Sequence, residues 1–102
     1  MKNTLVFLVF FGIVKAEAQS SVAETADSLY TIGNYKQAIN GYAKIGSQKS
    51  WLQIARAYHN IGNYKKAVIQ YENIIKSDTS SQIARFELGK LYLKVKQVEK
   101  AY

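Results

Sequence analysis

The sequence predicts an all-α fold of antiparallel helix-turn-helix units stacked in a row. Two near-identical segments point to it: Ile32–Tyr42 (IGNYKQAINGY) and Ile61–Tyr71 (IGNYKKAVIQY). Apolar residues recur at the 3,4 spacing of helical stripes in both segments and around them. The third observation is the absence of proline from all 102 residues. Proline is a common turn residue, so its absence favours long helices joined by short connections.

The elements follow in order. Ser21 and Glu24 have capping-box spacing, and a first helix carries Val22, Ala26, Leu29 and Tyr30 to about Ile32. Gly33 supplies a left-handed stop and Asn34 a cap for the next helix. That second helix, Tyr35 to Ile45, places Tyr35, Ala38, Ile39, Tyr42 and Ile45 on one face, and Gly46-Ser47 ends it. A third helix starts near Gln48 or Trp51, with Ser50 and Gln53 as a capping box, and runs to Ile61 with Trp51, Ile54, Ala55 and Tyr58 as its stripe. Gly62-Asn63 repeats the Gly33-Asn34 turn. The fourth helix runs from Tyr64 to about Lys76, with Ala67, Val68, Tyr71, Ile74 and Ile75 inward. Ser77 to Ser81 is a loop. The fifth helix runs from about Gln82 to Val95 and carries Phe86, Leu88, Gly89, Tyr92 and Leu93. Lys96-Gln97 stands where the Gly-Asn turn stood before, so a sixth helix is expected to begin at Val98.

The N-terminus reads differently. Lys2 precedes LVFLVFFGIV (Leu5–Val14), and Ala16-Glu17-Ala18 is an A-x-A site. A basic start, a short apolar run and a small-residue site form a secretory signal peptide, with cleavage expected after Ala18. Ten residues at ~1.5 Å rise cover about half of a ~30 Å hydrocarbon core, so a membrane span is not expected. The mature chain is expected in a bacterial periplasm or outside the cell. The domain plan is residues 1–18 as signal and 19–102 as one repeat domain, with units at about 21–46, 48–79 and 81–102, the last truncated.

Composition narrows the function. The chain has no cysteine, which excludes disulfides, thiolate metal sites and a cysteine nucleophile. The single histidine, His59, has no neighbours in sequence from which a metal site or a triad could be built. The carboxylates form no acid-base motif, and Gly89-Lys90 lacks the glycine-rich loop of a phosphate cradle. No catalytic, cofactor or metal residue is therefore assigned, and an enzyme is not expected. The net charge is +7, mostly dispersed lysines without an arginine run. A solvated lysine surface explains that better than nucleic-acid binding, which an export signal also opposes.

The repeat has a definite period. Ala67 to Ala101 and Tyr58 to Tyr92 span the same interval, whereas Ala38 to Ala67 is shorter because the first unit is short. The pattern Trp51-x₂-Ile54-Ala55-x₂-Tyr58…Ala67-x₃-Tyr71, recurring at that interval, resembles the tetratricopeptide-repeat family. Arg85-x₂-Leu88-Gly89-x₂-Tyr92…Ala101 matches in part, and the unit containing Ala26 and Ala38 matches in its helix-turn-helix core. The proline that closes a family unit is absent; Thr79 stands there. The resemblance implies a short right-handed α-solenoid, in which small residues let helices approach and each unit buries its apolar face on the next. Two and a half units form a marginal stack. Phe86, Leu88 and Tyr92 are expected to lack cover, so the chain is expected to be part of a longer repeat protein or to associate through its C-terminal unit.

The resemblance also implies a function: a non-catalytic scaffold that holds a partner segment in a concave groove lined by the first helix of each unit. Carried over residue by residue, the groove candidates are Tyr30, Leu52, Arg56, His59, Phe86, Lys90, Leu93 and Lys94, with Asp27 and Asn60 beside them. Such a basic, aromatic strip suits a protein or peptide with acidic and apolar residues. The lysine-asparagine clamp that some members use on a terminal carboxylate is not expected, because Ala23 and Asp27 occupy its place on the first helix. The alternative is an assembly module that stacks on another domain or on a second copy, with the groove idle.

Overall fold

The computed structural model describes residues 20–101, with side-chain surroundings given through residue 99. The expected signal segment, residues 1–18, lies outside the described residues. Five helices follow one another: α1 (residues 20–31), α2 (Tyr35–Ile45), α3 (Gln48–Ile61), α4 (Tyr64–Ser77) and α5 (Gln82–Ala101). There is no strand among the described residues. Helices α2 and α3, α3 and α4, and α4 and α5 pack on one another in succession. The architecture is the all-α, tetratricopeptide-like helical repeat expected from the sequence.

The two Ile-Gly-Asn turns close identically. Gly33 and Gly62 sit at φ 84° and 86°, in the left-handed region where a Cβ is strained. Each donates its N–H to a carbonyl in the last turn of the preceding helix, Tyr30 or His59, both at 3.0 Å. The asparagine that follows donates one position further back, Asn34 to Leu29 at 2.8 Å and Asn63 to Tyr58 at 2.9 Å. The near-identical sequence thus encodes one helix-reversing turn twice.

Three local expectations are corrected. Ser21 lies inside α1, where its carbonyl accepts from the Thr25 hydroxyl, so it does not cap that helix. The capping box of α3 is Ser47 with Ser50, one turn before the expected pair. The Ser47 hydroxyl accepts from the Ser50 N–H at 3.1 Å, and the Ser50 hydroxyl accepts from the Ser47 N–H at 2.9 Å. Lys96-Gln97 makes no turn, so no sixth helix begins at Val98; α5 is continuous to Ala101. Lysine and glutamine are good helix formers, and neither takes the left-handed conformation that glycine supplies at the earlier turns.

The core is itself a repeat. One cluster of buried residues is Ala26, Ala38, Tyr42 and Ile54. The other contains Ala55, Ala67, Tyr71 and Leu88, with Ile74, Ala84 and Leu91. Taken in order, Ala26, Ala38 and Tyr42 map onto Ala55, Ala67 and Tyr71 by one constant shift, and Ile54 maps onto Leu88 by the longer shift of the full unit. Each junction between units therefore has the same solution. Two alanines let the helices of a unit approach, a tyrosine from its second helix fills the space beneath, and an aliphatic side chain of the next unit closes it. Trp51 and Tyr58 pack against both clusters and join them.

Two glycines within helices have opposite surroundings. A Cβ on Gly41 would lie 3.0 Å from the Ala26 Cβ, because α2 runs directly over α1 there. A Cβ on Gly89 would meet nothing within 4 Å. Of the three residues expected to lack cover, Phe86 and Tyr92 are 67% and 48% exposed, while Leu88 is buried. Gly41→Val should therefore destabilise the protein by ~1–3 kcal/mol through overpacking. Gly89→Ala should stabilise it by up to ~1 kcal/mol through helix propensity alone. Urea unfolding followed by circular dichroism checks both; a stabilising Gly41→Val would contradict the close contact.

Candidate functional site

The side of α1, α3 and α5 that holds the candidate residues is tied together by one chain of hydrogen bonds. It begins at Asp27 on α1, whose carboxylate accepts from the Tyr42 hydroxyl. The Gln53 amide donates to the same hydroxyl at 3.4 Å, a long contact. Gln53 accepts in turn from Arg56 Nη1 at 2.9 Å. Arg56 then grips Glu87 on α5 with two parallel bonds, Nε to Oε1 and Nη2 to Oε2, both 2.7 Å. The Tyr71 hydroxyl completes the set by donating to Glu87 Oε1 at 3.2 Å.

This chain is one junction made twice. The shift that carries Tyr42 to Tyr71 also carries Asp27 to Arg56, and the shift that carries Ile54 to Leu88 also carries Gln53 to Glu87. In each junction a buried tyrosine sends its hydroxyl out of the core, where a burial cost would otherwise fall on an unpaired polar group. Burial and the Asp27 carboxylate push the Tyr42 hydroxyl up to about 12. Tyr71 is raised by burial and then by the Glu87 charge. Both tyrosines therefore stay protonated donors. The paired Glu87 oxygens hold the Arg56 guanidinium charged more firmly than usual, against the opposing effect of its burial.

A second pair of repeat equivalents lies beside this chain. Tyr30 meets Tyr35 edge-on at 5.2 Å between ring centroids, and His59 meets Tyr64 edge-on at 5.6 Å. The first pair is bridged to the next unit by Asn60, whose amide donates to the Tyr30 hydroxyl at 2.9 Å. The second is capped by Lys94, the repeat equivalent of Asn60, with its ammonium 6.0 Å from the Tyr64 ring centroid. Lys90 lies 5.4 Å from the Phe86 centroid. Phe86 and Leu93 are about two-thirds exposed. Burial lowers the His59 pKa, and the Lys94 and Lys90 charges lower it further, while Glu87 pulls the other way.

The eight predicted residues thus divide. Tyr30 and Arg56 serve inter-unit bonds, and Leu52 packs against the second core cluster. His59, Phe86, Lys90, Leu93 and Lys94 gather toward α5, and neither lysine has an ion-pair partner among the described residues. Sequence reasoning missed Gln53 and Glu87, which complete the polar chain. Their equivalence under the repeat was a readable signal. A cleft of about 90 Å³ opens beside Tyr42, between Asp27, Gln53 and the Ser47–Ser50 cap. Among the described residues, no group of three or more metal-type side chains comes together.

Helix hairpins stacked through repeated alanine-tyrosine junctions define a helical-repeat protein. Residues 48–80, spanning α3, α4 and the loop that follows, match the family model described as tetratricopeptide repeat. The match covers about a third of the chain and supports the tetratricopeptide-repeat family. Comparison with curated proteins gave no match. Repeats of this family generally mediate protein–protein interaction and are typically non-enzymatic, so protein partners are implied in general. Among the described residues no helix is long and apolar enough to cross a membrane.

Two measurements test this geometry. A double-mutant cycle on Arg56→Met and Glu87→Gln should give a coupling of about 1 kcal/mol, since the pair is bidentate but partly exposed. Additive effects would show the bond to be idle. For His59, a lowered folded pKa means that the unfolded chain binds the proton more readily. Its contribution is therefore present above the ordinary value of 6.5 and is lost as pH falls toward the lower folded value. His59→Gln should flatten the dependence of unfolding free energy on pH across that window. An unchanged slope would count against the burial and the neighbouring lysine charges assigned to His59.

Proposed function

We propose that the protein is an exported scaffold that holds a segment of a partner protein against the α1, α3 and α5 side, without catalysis. The observation that carries this reading is the unpaired cationic and apolar cluster at the α5 end. Phe86 and Leu93 offer exposed apolar surface, and Lys90 and Lys94 offer charge that no carboxylate of the described residues takes up. A segment with carboxylates next to apolar side chains complements both. Arg56 contributes differently from the lysines: Glu87 already occupies its bidentate face, so it shapes the groove and leaves recognition of acid to Lys90 and Lys94.

Export rests on Lys2, the apolar run Leu5–Val14 and the Ala16-Glu17-Ala18 site, and the compartment that follows is the periplasm or the exterior of a bacterium. N-terminal sequencing of the protein recovered from its native cell should find Gln19 first. Recovery of the chain in the cytosol with Met1 intact would remove this part of the reading.

The groove is tested by photo-crosslinking. A photoreactive residue at Phe86 should capture a partner segment, whereas one at exposed Ile69 on α4 should not. Combining Lys90→Glu with Lys94→Glu should lower capture at Phe86 about tenfold or more, the effect of losing roughly 1.4 kcal/mol of binding. Equal capture from Phe86 and Ile69, or no effect of the charge reversals, would take the groove out of the account. The assembly alternative draws on one specific observation, the uncovered flank of α5 around Gly89. Sedimentation of the mature chain over a range of concentrations separates self-association from a monomer.

A further inference from the structure

The two junctions differ in how far they carry the same polar arrangement. At the second, the Tyr71 hydroxyl donates to a carboxylate, Glu87, and the Arg56 guanidinium grips both oxygens of that carboxylate. At the first, the Tyr42 hydroxyl donates to a carboxylate, Asp27, which makes no ion pair among the described residues. The position that supplies the guanidinium in one junction supplies the acid in the other, since Asp27 is the repeat equivalent of Arg56. The cleft of about 90 Å³ beside Tyr42 opens at this point. Its origin is local. The equivalent positions of the next unit hold two long side chains of α3: Leu52, which packs on the core cluster, and Arg56. On α1 the same positions hold Ala23 and Asp27, which are shorter and line the cleft. The opening lies between α1, α2 and α3, and it comes from these two residues, with no further helix called for by the repeat. Lys49, on the first turn of α3, also lines it; this lysine is exposed and makes no ion pair among the described residues.

We propose that this cleft is a subsite for an arginine side chain of the partner segment, whose guanidinium pairs with Asp27 as Arg56 pairs with Glu87. The second junction shows which group a carboxylate held by a buried tyrosine takes in this fold. Asp27 is exposed, so a cation can reach it from the groove side. One of its oxygens is engaged by Tyr42, which fixes the orientation of the carboxylate. A planar guanidinium fork gains from a carboxylate held in one orientation, whereas an ammonium acts as a point charge. Lys49 is the internal competitor for the same carboxylate. The proposal rests on the reading of the α1, α3 and α5 side as the face that receives a partner segment. It adds to that segment an arginine at the α1 end, on the other side of Arg56 from the Lys90 and Lys94 cluster.

The probe is N-acetyl-arginine amide, titrated into the ¹⁵N-labelled mature protein. The backbone amide of Ser50 and the side-chain amide of Gln53 should move in a saturable way at millimolar probe. The citrulline analogue, which keeps the shape and loses the charge, should bind about tenfold more weakly. The lysine analogue should bind a few-fold more weakly, because it lacks the fork. Asp27→Asn should weaken binding about tenfold, with native circular dichroism because its amide oxygen still accepts from Tyr42. Ala23→Leu, which sets at 23 the residue type found at 52, should abolish the shifts in a folded protein. Lys49→Gln should tighten binding about two- to threefold by removing the competing cation. Absence of saturable shifts at Ser50 and Gln53, equal binding of the citrulline analogue, or undiminished binding by Asp27→Asn would overturn the proposal. Loss of binding in Lys49→Gln would assign the cleft to an anion and overturn it as well. Capture at Phe86 is a separate readout. Arginine binding at Gln53 without that capture supports the subsite and removes the groove reading; capture at Phe86 without shifts at Gln53 removes the subsite alone.

Discussion

Each junction of the stack depends on a tyrosine that must be both buried and satisfied. The Tyr42 and Tyr71 rings are 2% and 1% exposed, wedged against alanines that are fully buried. A tyrosine in that place contributes a large apolar surface, but its hydroxyl cannot be left without a partner. The structure meets both demands by ending each ring at the polar side, where Asp27 of the same unit and Gln53 of the next reach the Tyr42 oxygen and Glu87 of the next unit accepts from Tyr71. That arrangement adds polar links between units to their apolar contact, as the Asn60–Tyr30 bond does beside it. It also explains why no buried side-chain nitrogen or oxygen lacks a partner among the described residues.

The two junctions solve the same problem with different charges. The first pairs an acid, Asp27, with a neutral amide, Gln53. The second pairs a cation, Arg56, with an acid, Glu87, and Arg56 also reaches back to Gln53. The alternation lets the chain of bonds run on without placing like charges side by side, since one guanidinium sits between two carboxylates. The consequence for function is direct. Polar residues that would otherwise be free for a ligand are engaged in holding units in register, and beside that chain of bonds the lysines without an ion pair are Lys90 and Lys94 of α5. A cation with a bidentate carboxylate already in place offers a partner far less than a lysine over an exposed phenylalanine does.

The fold was legible because its determinants are local or periodic. Gly33-Asn34 and Gly62-Asn63 announce two reversals, and the alanine and tyrosine spacings announce what packs between them. α5 was misread for a local reason as well. The repeat register required a turn at Lys96-Gln97, but without a glycine the backbone had no low-energy way to leave the helix, and local propensity prevailed over register. The site was less legible. The repeat places Arg56 on the expected side of α3, yet whether its guanidinium faces solvent or Glu87 depends on a contact with a distant part of the sequence. Face assignments say where a side chain starts; they do not say which neighbour claims its far end. Leu52 shows the same limit, since part of its candidate surface is absorbed by the core.

Gly89 shows how a residue can be informative by being unnecessary to the contacts around it. Glycine in a helix interior costs about 1 kcal/mol relative to alanine, and here nothing within 4 Å requires the missing Cβ. At Gly41 the same cost is offset by the close approach of α1. At Gly89 the offsetting contact is missing from the described chain, while the position in the repeat is the one at which a second helix comes nearest. Phe86, Tyr92 and Leu93 on the same helix are exposed as well. The exposed apolar side chains and the lysines of α5 thus share one helix at one end of the described stack.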